Sequence, residues 1–256
     1  PYSRDILGSK ESLTNIGQTE VKNYFSRLTT KKNAYFVVAG NFDRQLWLDC
    51  IENSVKHFDV GQSARQIFDF HPPDKDVCIT SHSDKAQSHV VMGFPGLTFT
   101  DPDRYSLEVM QSILAGQGGR LFYELRDKAS LAYSVSPIQM EGIDAGYFGA
   151  YIGCSPEKVE KALSMMKQEF EKLCNYPPSN EEVENAKRYL IGRTDIDLQR
   201  TASTAASLLF DEIYGLGYNE IFQVKEKLRA VTPATVQKVA QRILTQKSVT
   251  SIVGPQ

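Results

Sequence analysis

The sequence of 256 residues has few of the side chains from which catalytic centres are usually built. It contains four histidines, four cysteines and one tryptophan. No C-x-x-C pair occurs, which argues against a zinc knuckle and a thioredoxin-like site. Three of the cysteines lie in apolar or amphipathic runs, where a small buried hydrophobe is the simpler interpretation. Their spacing leaves disulfides and the cellular compartment open. The four are Cys50, Cys78, Cys154 and Cys174.

The histidines do not form the motif of a zinc hydrolase. Such a motif places two histidines on one helical face beside a carboxylate base. The spacing H-x-x-E-H occurs in neither direction, and no G-x-S-x-G nucleophile elbow is present. We therefore predict no metal site and no complete catalytic set in this chain. The four histidines are His57, His71, His82 and His89.

Composition indicates an ordered chain whose near-neutral charge does not favour binding to nucleic acid. The net charge is −2 and 41% of the residues are hydrophobic, enough for one large domain or for one domain plus part of another. This balance offers no basic footprint, so we expect no nucleic-acid partner. No apolar run approaches the roughly 20 residues that a membrane-spanning helix requires.

Periodicity divides the chain into two parts. The first contains a helix over 19–28, a buried strand over 34–39, and a helix that begins at Asp43, with Leu46 and Trp47 on its apolar stripe. Residues 61–76 have the composition of a linker, with a short strand possible over 66–70.

The second part alternates strands and helices. We predict strands over 77–80, 88–94, 131–140, 146–154 and 248–253. Asp101 and Pro102 are expected to begin a helix that ends at Gly116, and a second helix is expected to follow Gly118 and run to about Lys128. Further helices are predicted after Ser155, after the capping box of Ser179 and Glu182, from Thr201, and after Thr232.

Two segments of similar layout suggest the domain organisation. Residues 20–40 and 235–254 share one layout, a helix followed by a strand that ends in glycine. The second copy closes a unit of about 180 residues, whereas no such unit precedes the first copy. We therefore expect residues 1–60 to be the tail of an upstream domain of the same kind, 61–76 a linker and 77–256 a second domain. A chance match between two ordinary helix–strand units is the alternative.

The segment 116–133 contains the strongest functional candidates. Its sequence, GQGGRLFYELRDKASLAY, combines a glycine turn, a short helix and the start of a strand. Arg126 is a planar cationic donor, and Tyr133 is a phenol that can donate to a carbonyl. Together they could hold and polarise a peptide bond. The structural alternative is that Arg126 is a solvated residue paired with Glu124 or Asp127, and that Tyr133 packs on the sheet.

This segment resembles the second-domain signature of the M16 metallopeptidases, the insulinase, pitrilysin and mitochondrial processing peptidase type. Further similarities occur at Pro1–Tyr2, 6–8, 11–13, 37–42, 182–192, 231–232 and 252–254. The resemblance implies an α+β fold with a mostly antiparallel sheet and helices on one face, the LuxS/MPP-like metallohydrolase fold. It implies that Arg126 and Tyr133 bind the substrate backbone, with Tyr133 a possible transition-state donor.

The resemblance also implies what lies outside the chain. The family's zinc motif belongs to its first domain, so zinc is expected there or on a partner, in cis or in trans, with homo- or heterodimers as possible assemblies. The first hypothesis is the substrate-binding part of a zinc peptidase acting on peptides, inactive alone. The second is a non-catalytic binding or assembly subunit, and the third an unrelated α+β binding module. The start at Pro1 suggests a chain that begins within a longer protein, so the sequence leaves the localisation open.

Overall fold

The computed structural model describes residues 4–255, and the similarity at Pro1 and Tyr2 lies outside this range. Between residues 4 and 76 the chain forms three helices and one turn of 3₁₀ helix. The helices are α1 (Lys10–Thr14), α2 (Gln18–Leu28) and α3 (Arg44–Val55), and the 3₁₀ turn is Lys31–Asn33. Asp43 begins α3 as predicted, because its carboxylate accepts a hydrogen bond from the Leu46 amide at 2.9 Å.

This first part has no core of its own. Between residues 4 and 76 only Thr30 is buried. The predicted strand 34–39 pairs with no other strand, and residues 66–70 also form none, so both predictions were wrong for the described chain. The reason is physical, since a strand needs a neighbour for its backbone hydrogen bonds. Apolar side chains of the helices in this part are also exposed to solvent. Phe25 of α2 is 65% exposed, and Trp47 of α3 is 45% exposed.

The second part is built on one five-stranded sheet. Its strands are β1 (Val77–His82), β2 (Ser88–Pro95), β3 (Ala132–Met140), β4 (Tyr147–Cys154) and β5 (Val249–Gly254). Their order is β1-β5-β2-β4-β3. Only β1 and β5 run parallel, and the other neighbours are antiparallel. The predicted strands are thus present, with ends shifted by one or two residues.

The helices of the second part are α4 (Arg104–Leu114), a π-helix (Phe122–Lys128), α5 (Val159–Asn175), α6 (Asn180–Asp197), α7 (Thr201–Ile213), α8 (Glu220–Ala230) and α9 (Pro233–Leu244), with a 3₁₀ turn at Pro156–Lys158. Helices α4, α5 and α9 and the π-helix pack against one face of the sheet, and α6, α7 and α8 pack against other helices. Alternate residues of β2 are buried in the core, whereas those on its other face are only partly buried. The predicted α+β fold with helices on one face is confirmed. We call the helix-free side the open face.

One helix prediction needed correction, and two helices were not predicted. Helix α4 begins after Asp103 rather than at Asp101, because residues 102–103 form a turn before it. In that turn the Asp101 carboxylate accepts from the Asp103 amide, as a capping side chain would, and it also accepts from the Arg242 guanidinium of α9. Helices α1 and α8 were not predicted from the sequence.

Two further expectations concern membranes and cysteines. None of the helices within residues 4–255 is long and apolar enough to cross a membrane. All four cysteines are free thiols, and of the three expected to be buried only Cys154 is fully so.

Candidate functional site

The glycine turn after α4 has a conformation that requires glycine at two positions. Gly116 adopts a φ of +74°, which disfavours residues with a side chain. A Cβ at Gly119 would lie 2.1 Å from the Ala115 carbonyl oxygen, well inside van der Waals contact. Gly118 has open space around it. The turn thus allows the chain to leave α4 and re-enter a helix within five residues.

An ion pair that the sequence did not predict anchors the next turn of helix. The Arg120 guanidinium donates from Nε to Glu182 Oε1 at 2.6 Å and from Nη2 to Oε2 at 2.9 Å. Glu182 also accepts from the Ser179 amide in the predicted capping box of α6. Hydrogen bonds from Arg120 are the largest reason why the pKa of Glu182 falls to about 2. No local pattern links residues 62 positions apart, so sequence reasoning missed this contact.

The helix changes from α to π geometry as it approaches Arg126. Residues 122–128 are π-helical, a geometry that recurs at functional sites. The helix closes through a hydrogen bond from the Ser130 amide to the Arg126 carbonyl at 3.0 Å. Ser130 has a φ of 49°, and its carbonyl accepts from the Lys158 ammonium. The turn therefore places the start of β3 directly after the helix.

Tyr133 lies in a β-bulge at the start of β3. Ala132 pairs with Cys154 and Ser134 pairs with Gly153, so Tyr133 is an extra residue without a partner on β4. Tyr133 and Ser134 are both exposed, whereas Ala132 and the residue after Ser134 are buried. A bulge can re-aim a side chain in this way. Tyr133 is 74% exposed, which rules out the structural alternative in which it packs on the sheet.

Arg126 is exposed and pairs with neither predicted carboxylate. Its guanidinium lies over the Phe122 ring, 4.6 Å from the centroid. Glu124 instead binds Lys128 at 2.8 Å, and within residues 4–255 no carboxylate forms an ion pair with Arg126. No hydrogen bond joins Arg126 and Tyr133 directly. The structure thus places both candidates on one helix–strand unit as available donors.

Comparison with known proteins identifies the class. Residues 15–190 match a family model described as the peptidase M16 inactive domain. The chain therefore belongs to the M16 peptidase family, which confirms the membership predicted from its signature. The match also excludes the third hypothesis, an unrelated binding module.

Individual relatives give the same family and fold. The chain is 31% identical to an uncharacterized zinc protease of Streptomyces coelicolor over 272 residues, covering 98% of this chain and 56% of that protein. The crystal structure of a peptidase M16 inactive domain from Pseudomonas fluorescens has a TM-score of 0.92 at 21% identity, with 100% and 62% covered. A chain of complex III2 from Candida albicans has a TM-score of 0.85 at 16% identity, with 98% and 62% covered.

The comparisons limit what can be said of this chain in two ways. The two solved structures are only 21% and 16% identical to it, so they show its fold and nothing about its activity. The chain spans 56% of the Streptomyces relative and 62% of the Pseudomonas chain.

The histidines of this chain do not fit a zinc site. His57 and His71 are exposed, in the part of the chain that has no core. His82 binds Asp84 at 2.9 Å, and His89 binds Tyr151 at 2.8 Å. Within residues 4–255, no group of three or more His, Cys, Asp or Glu side chains is placed to hold a metal ion.

Proposed function

We propose that this chain is the substrate-binding part of an M16 zinc peptidase, in which Arg126 and Tyr133 hold and polarise a peptide bond. The observation that carries the proposal is the bulge, which leaves Tyr133 exposed next to the helix that presents an unpaired Arg126. In this role the Tyr133 hydroxyl donates to the carbonyl oxygen of the bond. The Arg126 guanidinium adds positive charge where negative charge develops. Preorganised donors of this kind typically contribute about 2.7–4 kcal/mol.

The same geometry supports the proposal that a second half completes the site. Both side chains are exposed, and solvent weakens their interaction with a developing charge. A facing surface that excludes water would strengthen it. Because no group of side chains within residues 4–255 is placed to hold zinc, we propose that the metal is held by another M16 segment, either earlier in the same polypeptide or on a partner chain. The 256 residues alone are then inactive.

The exposed first part supports the proposed domain organisation. We propose that residues 1–60 complete an upstream M16 domain, that 61–76 link it to the next, and that 77–256 form the substrate-binding domain. Residues 34–39 lack a strand partner, and the apolar faces of α2 and α3 lack a cover. An upstream sheet would supply the partner, and its helices would supply the cover.

The test uses the complete protein together with its zinc-bearing segment. Tyr133→Phe is expected to lower kcat by about 10²-fold, since it removes one donor to the transition state. Its melting temperature should stay unchanged because the ring remains. Tyr176→Phe is the matched control, since Tyr176 is 70% exposed and follows the end of α5. Unchanged turnover in Tyr133→Phe, or hydrolysis by the isolated chain, contradicts the proposal.

A second candidate is a non-catalytic subunit that serves binding or assembly with a zinc-bearing partner. It is favoured by the fold match to a chain of complex III2, which shows that the fold is not restricted to proteins described as proteases. The two candidates differ in any M16 segment that precedes residue 1 in the full polypeptide. An intact H-x-x-E-H motif in such a segment favours the peptidase with zinc in the same chain. With a degenerate motif, a loss of turnover in Tyr133→Phe together with the zinc-bearing partner favours the peptidase, and unchanged turnover favours the subunit.

A further inference from the structure

On the open face of the sheet, a histidine and a tyrosine form a side-chain hydrogen bond. His89 of β2 and Tyr151 of β4 are joined by a 2.8 Å hydrogen bond between Nδ1 and Oη. Their rings are nearly parallel, 6.0 Å apart and inclined by 20°. Both side chains are partly buried, so solvent reaches them.

A glycine makes room for this pair. His89 lies directly across from Gly153, and Tyr151 lies across from Val91, so the two aromatic residues are diagonal neighbours. A Cβ at Gly153 would lie 3.0 Å from the Tyr151 hydroxyl. The phenol therefore lies over the glycine backbone, where a larger residue would displace it.

The strand register connects the pair with Tyr133. Ser134, beside Tyr133 in the bulge, pairs with Gly153, which in turn pairs with His89. Neighbouring strands are about 4.8 Å apart, so His89 lies about 10 Å from Ser134 across the sheet. An extended peptide advances about 3.3 Å per residue. A peptide held at Tyr133 and crossing the open face would reach the pair about three residues away.

The chemistry of the pair favours a ligand that accepts hydrogen bonds. If Tyr151 donates to Nδ1, the Nε2–H group of His89 remains a free donor. If Nδ1 donates instead, the phenol hydroxyl remains free. Each tautomer thus presents a donor, and within residues 4–255 only Nδ1 of this imidazole has a partner.

The surroundings of the pair would not repel an anion. The residues that flank the pair on the open face in the strand register are uncharged. They are Val91, Ser134, Ser136, Ser251 and Val253.

We propose that His89 and Tyr151 form a substrate subsite that recognises an acidic side chain, about three residues from the peptide bond held at Tyr133. This inference rests on the proposed function, because it takes the ligand to be a peptide that crosses the open face. It assigns specificity to the pair and no part in bond cleavage. A purely structural role of the pair would affect all substrates alike, and this difference provides the test.

The experiment measures selectivity in the complete, zinc-loaded protein. One fluorogenic peptide that the protein cleaves is resynthesised with Glu, Gln or Leu at each position two to four residues from the cleaved bond. The unmodified protein is expected to prefer Glu over Leu by about tenfold in kcat/KM at one position, the effect of one charge-assisted hydrogen bond. His89→Phe and Tyr151→Phe are expected to reduce this preference to about twofold or less and to leave the Leu peptide nearly unaffected.

Two matched controls address general effects of the substitutions. His82→Phe replaces a histidine of the edge strand β1 that binds Asp84, and Tyr147→Phe replaces a tyrosine at the start of β4. Both are expected to retain the Glu preference. Loss of the preference in either control, or an equal loss for Glu and Leu peptides in His89→Phe, would overturn the assignment.

Failure of the subsite can be distinguished from failure of the proposed function. Tyr133→Phe should slow all peptides alike, and if it does not, the proposed function fails whatever the selectivity. If Tyr133→Phe behaves as expected but no position prefers Glu, the subsite alone is wrong. If no peptide is cleaved, the anisotropy of the same labelled peptides reports binding directly, and equal affinity for Glu and Leu peptides rejects the subsite.

Discussion

The Arg120 guanidinium and the Glu182 carboxylate meet through two hydrogen bonds, 2.6 Å and 2.9 Å long, across 62 positions of the chain. Arg120 begins the helix that carries Arg126, and Glu182 caps α6 through the Ser179 amide. The ion pair therefore connects the glycine turn to α6. Any displacement at this ion pair would also move the helix that presents Arg126.

Arg120→Lys tests the contribution of this ion pair. A lysine cannot reproduce the paired donors of the guanidinium, so we expect the free energy of unfolding to fall by about 1 kcal/mol at pH 7. The contribution of Glu182 is present above its ordinary pKa of 4.5 and is lost as the pH falls towards 2. The variant should therefore lose less stability than the parent protein between pH 4.5 and 2. Denaturant unfolding at several pH values measures both effects.

The matched control for this prediction is Arg193→Lys. Arg193 is exposed and approaches Asp197 only to 3.9 Å within α6. Exposed pairs of this kind contribute little, so a change of less than about 0.5 kcal/mol is expected. An equal loss in both variants would show that the Arg120 pair has no special role.

Gly119→Ala tests the requirement for close backbone approach in the turn. The added Cβ would lie 2.1 Å from the Ala115 carbonyl oxygen, which is backbone and cannot move aside cheaply. We expect a loss of about 2–3 kcal/mol in unfolding free energy. Gly118→Ala is the control, because its Cβ would meet nothing within 4 Å. Thermal unfolding of the two variants compares them, and similar melting temperatures would refute the prediction.

Glu141→Gln tests a largely buried carboxyl directly after β3, whose side chain is 15% exposed. Burial raises the pKa of Glu141 to about 7, although Arg104 lies 3.8 Å away and acts in the opposite direction. Between pH 4.5 and 7 the folded protein retains a proton that the unfolded chain has released. Stability therefore falls as the pH rises through this window, by up to about 3 kcal/mol.

Glutamine cannot ionise, so the variant should be more stable than the parent at pH 8 and nearly equal to it at pH 4. Chemical unfolding at the two pH values tests this expectation. The same substitution at Glu160, which is exposed on α5, is the control and should change neither value. Parallel pH profiles for the Glu141 variant and the parent would contradict the prediction.

Local signals predicted those elements whose stabilising contacts are themselves local. Asp43 and the box of Ser179 and Glu182 cap helices as expected, since each side chain binds an amide three residues away. The same reasoning was only partly right at Asp101, whose carboxylate binds the Asp103 amide although the helix begins only after Asp103. The additional bond from the distant Arg242 guanidinium could not be predicted from local sequence. Residues 34–39 have strand composition, but composition cannot supply a partner strand.

In the candidate site, too, some features follow from the sequence alone and others from contacts between distant parts of the chain. The sequence by itself determined the family, because eighteen consecutive residues of one signature identified it, and it singled out Arg126 and Tyr133 by their side-chain chemistry. Only the tertiary structure decided that Tyr133 occupies a bulge and that His89 meets Tyr151. Both depend on which strands pair and in which register, and register is set by packing between residues far apart in the chain.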